Sequence, residues 1–100
     1  MTVTVITRWT TQNVEASTQA AKRAKVIWMK NGAQDVRLNQ IFTGPNTGQW
    51  LVAIMFTDMA AYAKASAVVT ASADMKKIQA DNAKAGAVMH ERVILVGTDI

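Results

Sequence analysis

The chain has 100 residues, of which 50% are hydrophobic and 6% aromatic, and its formal net charge is +4. This is the length of one domain, so we expect a single domain over residues 1–100. The absence of cysteine excludes disulfides, thiolate nucleophiles and cysteine-ligated zinc. We find no signal-peptide pattern and no apolar run of the roughly 20 residues that span a bilayer, and therefore expect a soluble cytoplasmic protein.

The positive charge is concentrated in the first half of the chain, where six basic residues face only Glu15 and Asp35. The densest basic segment is Lys22-Arg23-Ala24-Lys25. Nucleic-acid-binding proteins usually carry a longer basic stripe with interleaved aromatic residues. A short charged cluster on a helix is more often a solvated face. We therefore do not expect nucleic acid to be the partner.

The first two elements are a strand and a helix. The segment Thr2–Trp9 is rich in β-branched residues and predicts a strand. Asn13 or Thr11 is suited to cap a helix that follows over Val14–Asn31. Small and apolar residues recur along this helix at i, i+3, i+4 and i+7, which predicts one face packed closely on a sheet. Gly32 supplies the left-handed residue that ends many helices.

The next two elements are predicted strands joined by the loop Gly44–Gly48. Asp35–Thr43 mixes polar and apolar residues on both faces, which suits an edge strand. Gln49–Phe56 is apolar on both faces: Trp50, Val52, Ile54 and Phe56 alternate with Leu51, Ala53 and Met55. A strand that is apolar on both faces must be covered on both. Since the helices of this chain supply one covering layer, we expect a second copy to supply the other.

A long helical pattern follows the second of these strands. Asp58 is a good N-cap for it, and alanine-rich sequence propagates it. We expect a break near Thr70–Asp74, where Ser72 or Asp74 can cap a second helical segment. Gly86 is expected to end that segment.

The last element is a predicted strand over Val88–Gly97, with His90 and Arg92 on one face. The order βαββαβ predicts an α+β fold, a ferredoxin-like sandwich. Its four-stranded antiparallel sheet has the order 4-1-3-2, with the helices on one face. The other face would expose a large apolar surface, which is not expected of a monomer. The sequence therefore predicts a homodimer that pairs through the sheet faces.

The chain resembles the dimeric α+β barrel superfamily, and within it the antibiotic-biosynthesis monooxygenase-like proteins. The resemblance rests on the element order, the two-sided strand Trp50–Phe56, the helix start Thr57–Ala65 and the short helix before the last strand. It implies a homodimeric barrel domain without catalytic activity, which binds a hydrophobic small molecule. The alternative it implies is a cofactor-independent monooxygenase or isomerase acting on an aromatic or lactone-like substrate. No cofactor is expected.

Three residues are candidates for catalysis in that alternative: Tyr62, His90 and Arg92. Histidine can act as a general acid or base near neutral pH, and a phenol can donate to a ligand. Arg92 can neutralise an acidic group, and Trp9 and Asn39 are of types that the monooxygenases use around polycyclic aromatics. The open alternative is structural: a tolerated surface histidine and a buried tyrosine ring. One histidine without further ligands makes a poor zinc site, so no metal is expected.

Overall fold

The computed structural model describes residues Met1–Ile100. Its elements are β1 (Val3–Thr10), α1 (Val14–Lys30), β2 (Asp35–Gln40), β3 (Trp50–Phe56), α2 (Met59–Ala71), α3 (Ala73–Lys84) and β4 (Val88–Val96). The strands form one antiparallel sheet in the order β2-β3-β1-β4. This is the predicted order read from the other edge, so the ferredoxin-like arrangement is confirmed. No helix is long and apolar enough to cross a membrane.

The main core lies between the helices and the two central strands. Val3 faces Phe56 across the β1–β3 ladder, and Val5 faces Ile54. These side chains are buried, and Phe56 is 0% exposed. The ring of Trp28 meets Phe56 edge-on at a centroid distance of 6.0 Å. Burying an aromatic ring and its branched neighbours provides the largest part of the stabilisation in such a core.

The helix boundaries are set by local caps, as predicted. The side-chain oxygens of Asn13, Asp58 and Ser72 each accept a hydrogen bond from the backbone N–H three residues later, at 3.0, 2.8 and 3.2 Å. Of the two cap candidates for α1, Asn13 is the cap, whereas the hydroxyl of Thr11 lies 2.6 Å from that of Ser17. The predicted break in the long helical pattern is confirmed at Ser72, which ends α2 and begins α3.

The strand β2 is shorter than predicted. It pairs with β3 only as far as Gln40 and does not continue to Thr43. The chain then turns through Gly44 and Gly48, both of which have positive φ angles. Phe42 consequently lies in the connection and is 89% exposed. Ile41 still exchanges backbone hydrogen bonds with Gln49 and Gly48, both at 2.8 Å, so the turn itself begins at Phe42.

The prediction that His90 and Arg92 share a face of β4 is wrong. The ladder between β1 and β4 shifts register between Arg8 and Trp9, and His90 has no partner across it. A bulge of this kind inserts one extra residue and re-aims the side chains on either side of it. Arg92 lies opposite the buried Thr7 and so belongs to the helix-facing side of the sheet.

The strand β4 is exposed along its whole length. Ile94 and Val96 on its helix-facing side are 41% and 55% exposed, and Leu95 on the other side is 48% exposed. β4 pairs only with β1, at the edge of the sheet. The fold therefore leaves an apolar strand uncovered on both faces.

Candidate functional site

A cleft of about 180 Å³ lies between the helix-facing side of the sheet and the helices. Apolar side chains from the central strands, such as Val5 and Val52, form its floor, and Ala20, Ala21 and Val69 form part of its helical wall. An apolar cavity of about 150 Å³ is large enough to hold benzene. The enclosed part of this cleft therefore admits one or two aromatic rings, and its opening leaves room for a ligand to extend beyond them.

All three tryptophans of the chain line this cleft. Trp9 and Trp50 are cross-strand partners at one end of the sheet, and Trp28 lies against Phe56 at the other. The indole nitrogen of Trp9 donates to the hydroxyl of Thr7 at 2.9 Å, which fixes the ring. Flat, oriented aromatic surfaces on several walls suit a planar aromatic ligand.

Tyr62 and Arg92 reach the same cleft from different elements. Tyr62 lies in the first turn of α2, and its ring is tilted against Phe56 at 5.4 Å. Arg92 comes from β4, and a nitrogen of its guanidinium lies 3.7 Å from the sulfur of Met89. Arg92 forms no ion pair with a carboxylate, and it is the charged residue of the cleft wall. An unpaired cation beside an apolar space favours a ligand oxygen that carries negative charge.

His90 and Asn39 lie outside this cleft. The Nε2 atom of His90 is 2.7 Å from the hydroxyl of Thr10, and His90 is not among the residues that line the cleft. Asn39 faces Leu51 across the β2–β3 ladder, on the side of the sheet away from the helices, and is exposed. No group of three or more histidine, aspartate or glutamate side chains that could hold a metal ion occurs in the structure.

Asn82 also lines the cleft, and its role there was not predicted from the sequence. Its Oδ1 atom is buried and has no hydrogen-bond partner. Leaving a buried acceptor unpaired costs about 1–3 kcal/mol. The sequence contains a pattern that indicates this position, since Asn82 follows Met75 and Ile78 at the spacing of one helix face. A polar residue that continues a buried face in this way indicates a lining position.

The fold of the chain is shared with proteins of known structure. No protein-family model and no curated protein matches the sequence. Comparison of structures does find matches, with probability 1.00. The chain has the ferredoxin-like α+β barrel fold of the antibiotic biosynthesis monooxygenase-like proteins, as its resemblance to that group implies.

Three solved structures illustrate the similarity. A single-site variant of SnoaB, a cofactor-independent oxygenase from Streptomyces nogalater, has a TM-score of 0.73 and 14% identity, covering 99% of this chain and 95% of its own. A conserved protein of unknown function from Bacteroides thetaiotaomicron scores 0.68 at 11% identity, covering 94% and 95%. A protein from Nitrosomonas europaea, provisionally assigned as an antibiotic biosynthesis monooxygenase, scores 0.62 at 14% identity, covering 95% and 89%. Identities this low establish the fold alone.

Proposed function

We propose that the protein binds a planar aromatic molecule in the cleft and oxygenates it without a cofactor. The observation that carries this proposal is an apolar cleft that combines every tryptophan of the chain with Tyr62 and the unpaired Arg92. The fold similarity to SnoaB, a cofactor-independent oxygenase, supports it. The fold alone would not suffice, because one fold hosts many activities.

One reaction that balances without an external reductant is the oxidation of an activated methylene to a carbonyl. One oxygen atom of O₂ enters the product, and the other leaves as water with the two hydrogens of the methylene. The substrate supplies all the electrons, so it must first lose a proton to form an electron-rich anion. In this proposal the guanidinium of Arg92 stabilises the negative charge, and the hydroxyl of Tyr62 exchanges a proton with the substrate.

The direct test is oxygen uptake with hydroxylated two- and three-ring aromatics that carry a benzylic methylene. We expect ¹⁸O from labelled O₂ to appear in the product. Arg92→Gln is expected to lower turnover by about 100-fold, as is typical when a charge-stabilising donor is removed. Tyr62→Phe is expected to lower it at least roughly tenfold. Lys64→Gln removes an exposed charge of α2 outside the cleft and serves as the control.

The outcomes of this test separate the alternatives. Saturable binding without oxygen uptake would contradict the oxygenase proposal and leave a barrel protein that binds a hydrophobic molecule. A change of substrate without uptake or change of mass would favour an isomerase. Full activity of Arg92→Gln would contradict the role given to that residue.

We also propose that two copies pair through their sheets to form a homodimer, the state expected for the protein in the cytoplasm. The face away from the helices presents the apolar residues Ile6, Leu51, Ala53, Met55, Val93 and Leu95. The adjoining strand β4 is exposed throughout. Monomeric proteins rarely expose a continuous apolar surface of this kind, and a second copy with the same face would cover it.

A further inference from the structure

A second depression of about 230 Å³ lies beside the cleft, between α1 and β2. Two cationic side chains of α1, Lys22 and Lys25, line it, and Arg37 of β2 borders it at the edge of the sheet. We call these three residues the basic mouth. The space behind them shares Val36 and Leu38 with the wall of the cleft. The basic mouth therefore borders the cleft directly on its α1–β2 side.

The positive charge of the basic mouth is only partly neutralised. The carboxylate of Asp35 accepts a hydrogen bond from Nε of Arg37 at 2.6 Å and lies 3.8 Å from Nζ of Lys25. The hydrogen bond from Arg37 holds the pKa of Asp35 below its ordinary value, so this carboxylate is ionised at neutral pH. Lys22 forms no ion pair. One negative charge thus offsets one of the three positive charges.

No carboxylate lines the cleft itself, and Asp35 is the one carboxylate paired with the cations of the basic mouth. Arg92 adds a further positive charge on the β4 side of the cleft. A concave surface with charges of one sign concentrates its field in the opening and attracts ligands of the opposite sign. A net positive charge at the border of the cleft favours an anionic ligand over a neutral one of the same shape.

We propose that the ligand of this cleft is an aromatic acid, whose ring system occupies the cleft and whose carboxylate lies at the basic mouth. This inference rests on the proposed function, because it requires that the cleft binds an aromatic molecule. An apolar ring gains by leaving water, whereas a carboxylate loses its hydration if it is buried without partners. At the basic mouth the carboxylate stays at the solvent boundary, and the flexible lysine side chains reach it.

The sheet geometry also gives the ligand a direction. The basic mouth adjoins β2, whereas Arg92 belongs to β4, at the opposite edge of the sheet. These strands are separated by three strand spacings, roughly 14 Å. The acidic group therefore lies at the end of the ligand remote from Arg92, and the atom that reacts belongs to the other end. The carboxylate anchors the ligand and takes no part in the reaction.

The test uses two naphthalene derivatives of nearly the same shape: 2-naphthoate, which is anionic, and 2-naphthamide, which is neutral. Their dissociation constants are measured by calorimetry for the wild type and for a Lys22→Gln/Lys25→Gln double variant. Both lysines are exposed, so the variant is expected to fold. We expect the wild type to prefer 2-naphthoate, and the double variant to reduce that preference about fivefold, as for two exposed charge pairs.

The control is a Lys30→Gln/Lys64→Gln double variant. It removes the same total charge from exposed positions that line neither the cleft nor the basic mouth. We expect it to retain most of the preference for 2-naphthoate. Added salt is expected to weaken the binding of 2-naphthoate and to leave that of 2-naphthamide nearly unchanged.

Two different results would count against the inference, and they have different meanings. If both ligands bind the wild type equally, or if the two double variants reduce the preference equally, the anion-recognition role of the basic mouth is overturned while the cleft remains a binding site. If neither ligand binds the wild type, the proposed function fails, and this inference fails with it.

Discussion

Asp35 links the two cations Lys25 and Arg37 at the basic mouth. A hydrogen bond and a nearby positive charge both favour the ionised form of a carboxyl, and together they outweigh its partial desolvation. Because the pKa of Asp35 is lower in the folded protein, its ionisation stabilises the fold at pH values above its ordinary pKa. That contribution is lost as the pH falls through the lowered value.

A titration of the side-chain carboxyl carbons by NMR tests this arrangement. We expect Asp35 to titrate below the ordinary aspartate value, and Arg37→Gln to move its midpoint upward. Asp81 is the internal control, since Arg23 binds it at 2.8 Å and lowers its pKa independently. An unchanged midpoint of Asp35 in Arg37→Gln would show that Arg37 does not hold this carboxylate in solution.

The unpaired amide oxygen of Asn82 gives a second test at the level of a single residue. Asn82→Leu removes the unpaired acceptor and is expected to raise the free energy of unfolding by about 1 kcal/mol, measured by urea denaturation. Asn31→Leu is the matched control, because the amide nitrogen of Asn31 donates to the carbonyl of Ile27 at 2.8 Å. That variant is expected to lose stability. A comparable loss in Asn82→Leu would mean that the oxygen has a partner in solution.

At the scale of elements, Ser72 separates two helices that the apolar pattern alone would join. Its backbone N–H donates to Val69 at 3.1 Å, and its hydroxyl caps α3 by accepting from Met75 at 3.2 Å. Ser72→Ala is expected to lower the free energy of unfolding by about 1 kcal/mol, the usual effect of losing an N-cap. Ser66→Ala, within α2, removes a hydroxyl that does not cap a helix, and it is expected to change the free energy of unfolding little. Equal effects in thermal melts would contradict the capping role.

The elements that could be predicted from the sequence are those whose ends are set locally. Caps such as Asp58 and Ser72 act on the adjacent turn, so sequence patterns identify them. The bulge at His90 could not be predicted, because it depends on the register of β4 against β1, two strands far apart in sequence. Tyr62 and Arg92 were proposed from residue type, and their common cleft is visible only once the sheet and helices are assembled.

The tryptophans show why the cleft itself was not predictable. Trp28 falls on the inward face of α1, and Trp50 on the inward face of β3. Sequence periodicity assigns such residues to the side of an element that meets other elements. It does not distinguish a filled core from a cleft, since that depends on how closely the small residues of α1 bring the helices to the sheet.

At the scale of the whole molecule, the helices cover one face of the sheet and leave the other to a proposed second copy. Ala53 lies at the centre of that uncovered face, opposite Ile6 on β1 and Arg37 on β2. Ala53→Glu places a carboxylate where the dimer would exclude water. We expect a folded monomer or a dimer weakened by orders of magnitude, measured by analytical ultracentrifugation with circular dichroism to confirm folding.

Lys64→Glu introduces the same carboxylate on the exposed surface of α2 and is the control. It is expected to remain dimeric. A wild-type protein that sediments as a monomer would contradict the dimer proposal outright. An Ala53→Glu variant that stays fully dimeric would place the interface elsewhere.

If the cleft between sheet and helices binds an aromatic molecule, the three tryptophans that line it report the binding directly. The measurement is a ¹H–¹⁵N NMR titration of the wild type with 2-naphthoate, following the indole N–H signals of Trp9, Trp28 and Trp50. We expect these signals to shift saturably, while the backbone amides of Thr47 and Lys64, which lie outside the cleft, stay in place. Indole signals that do not move, or shifts confined to the uncovered sheet face, would contradict binding of an aromatic molecule in the cleft.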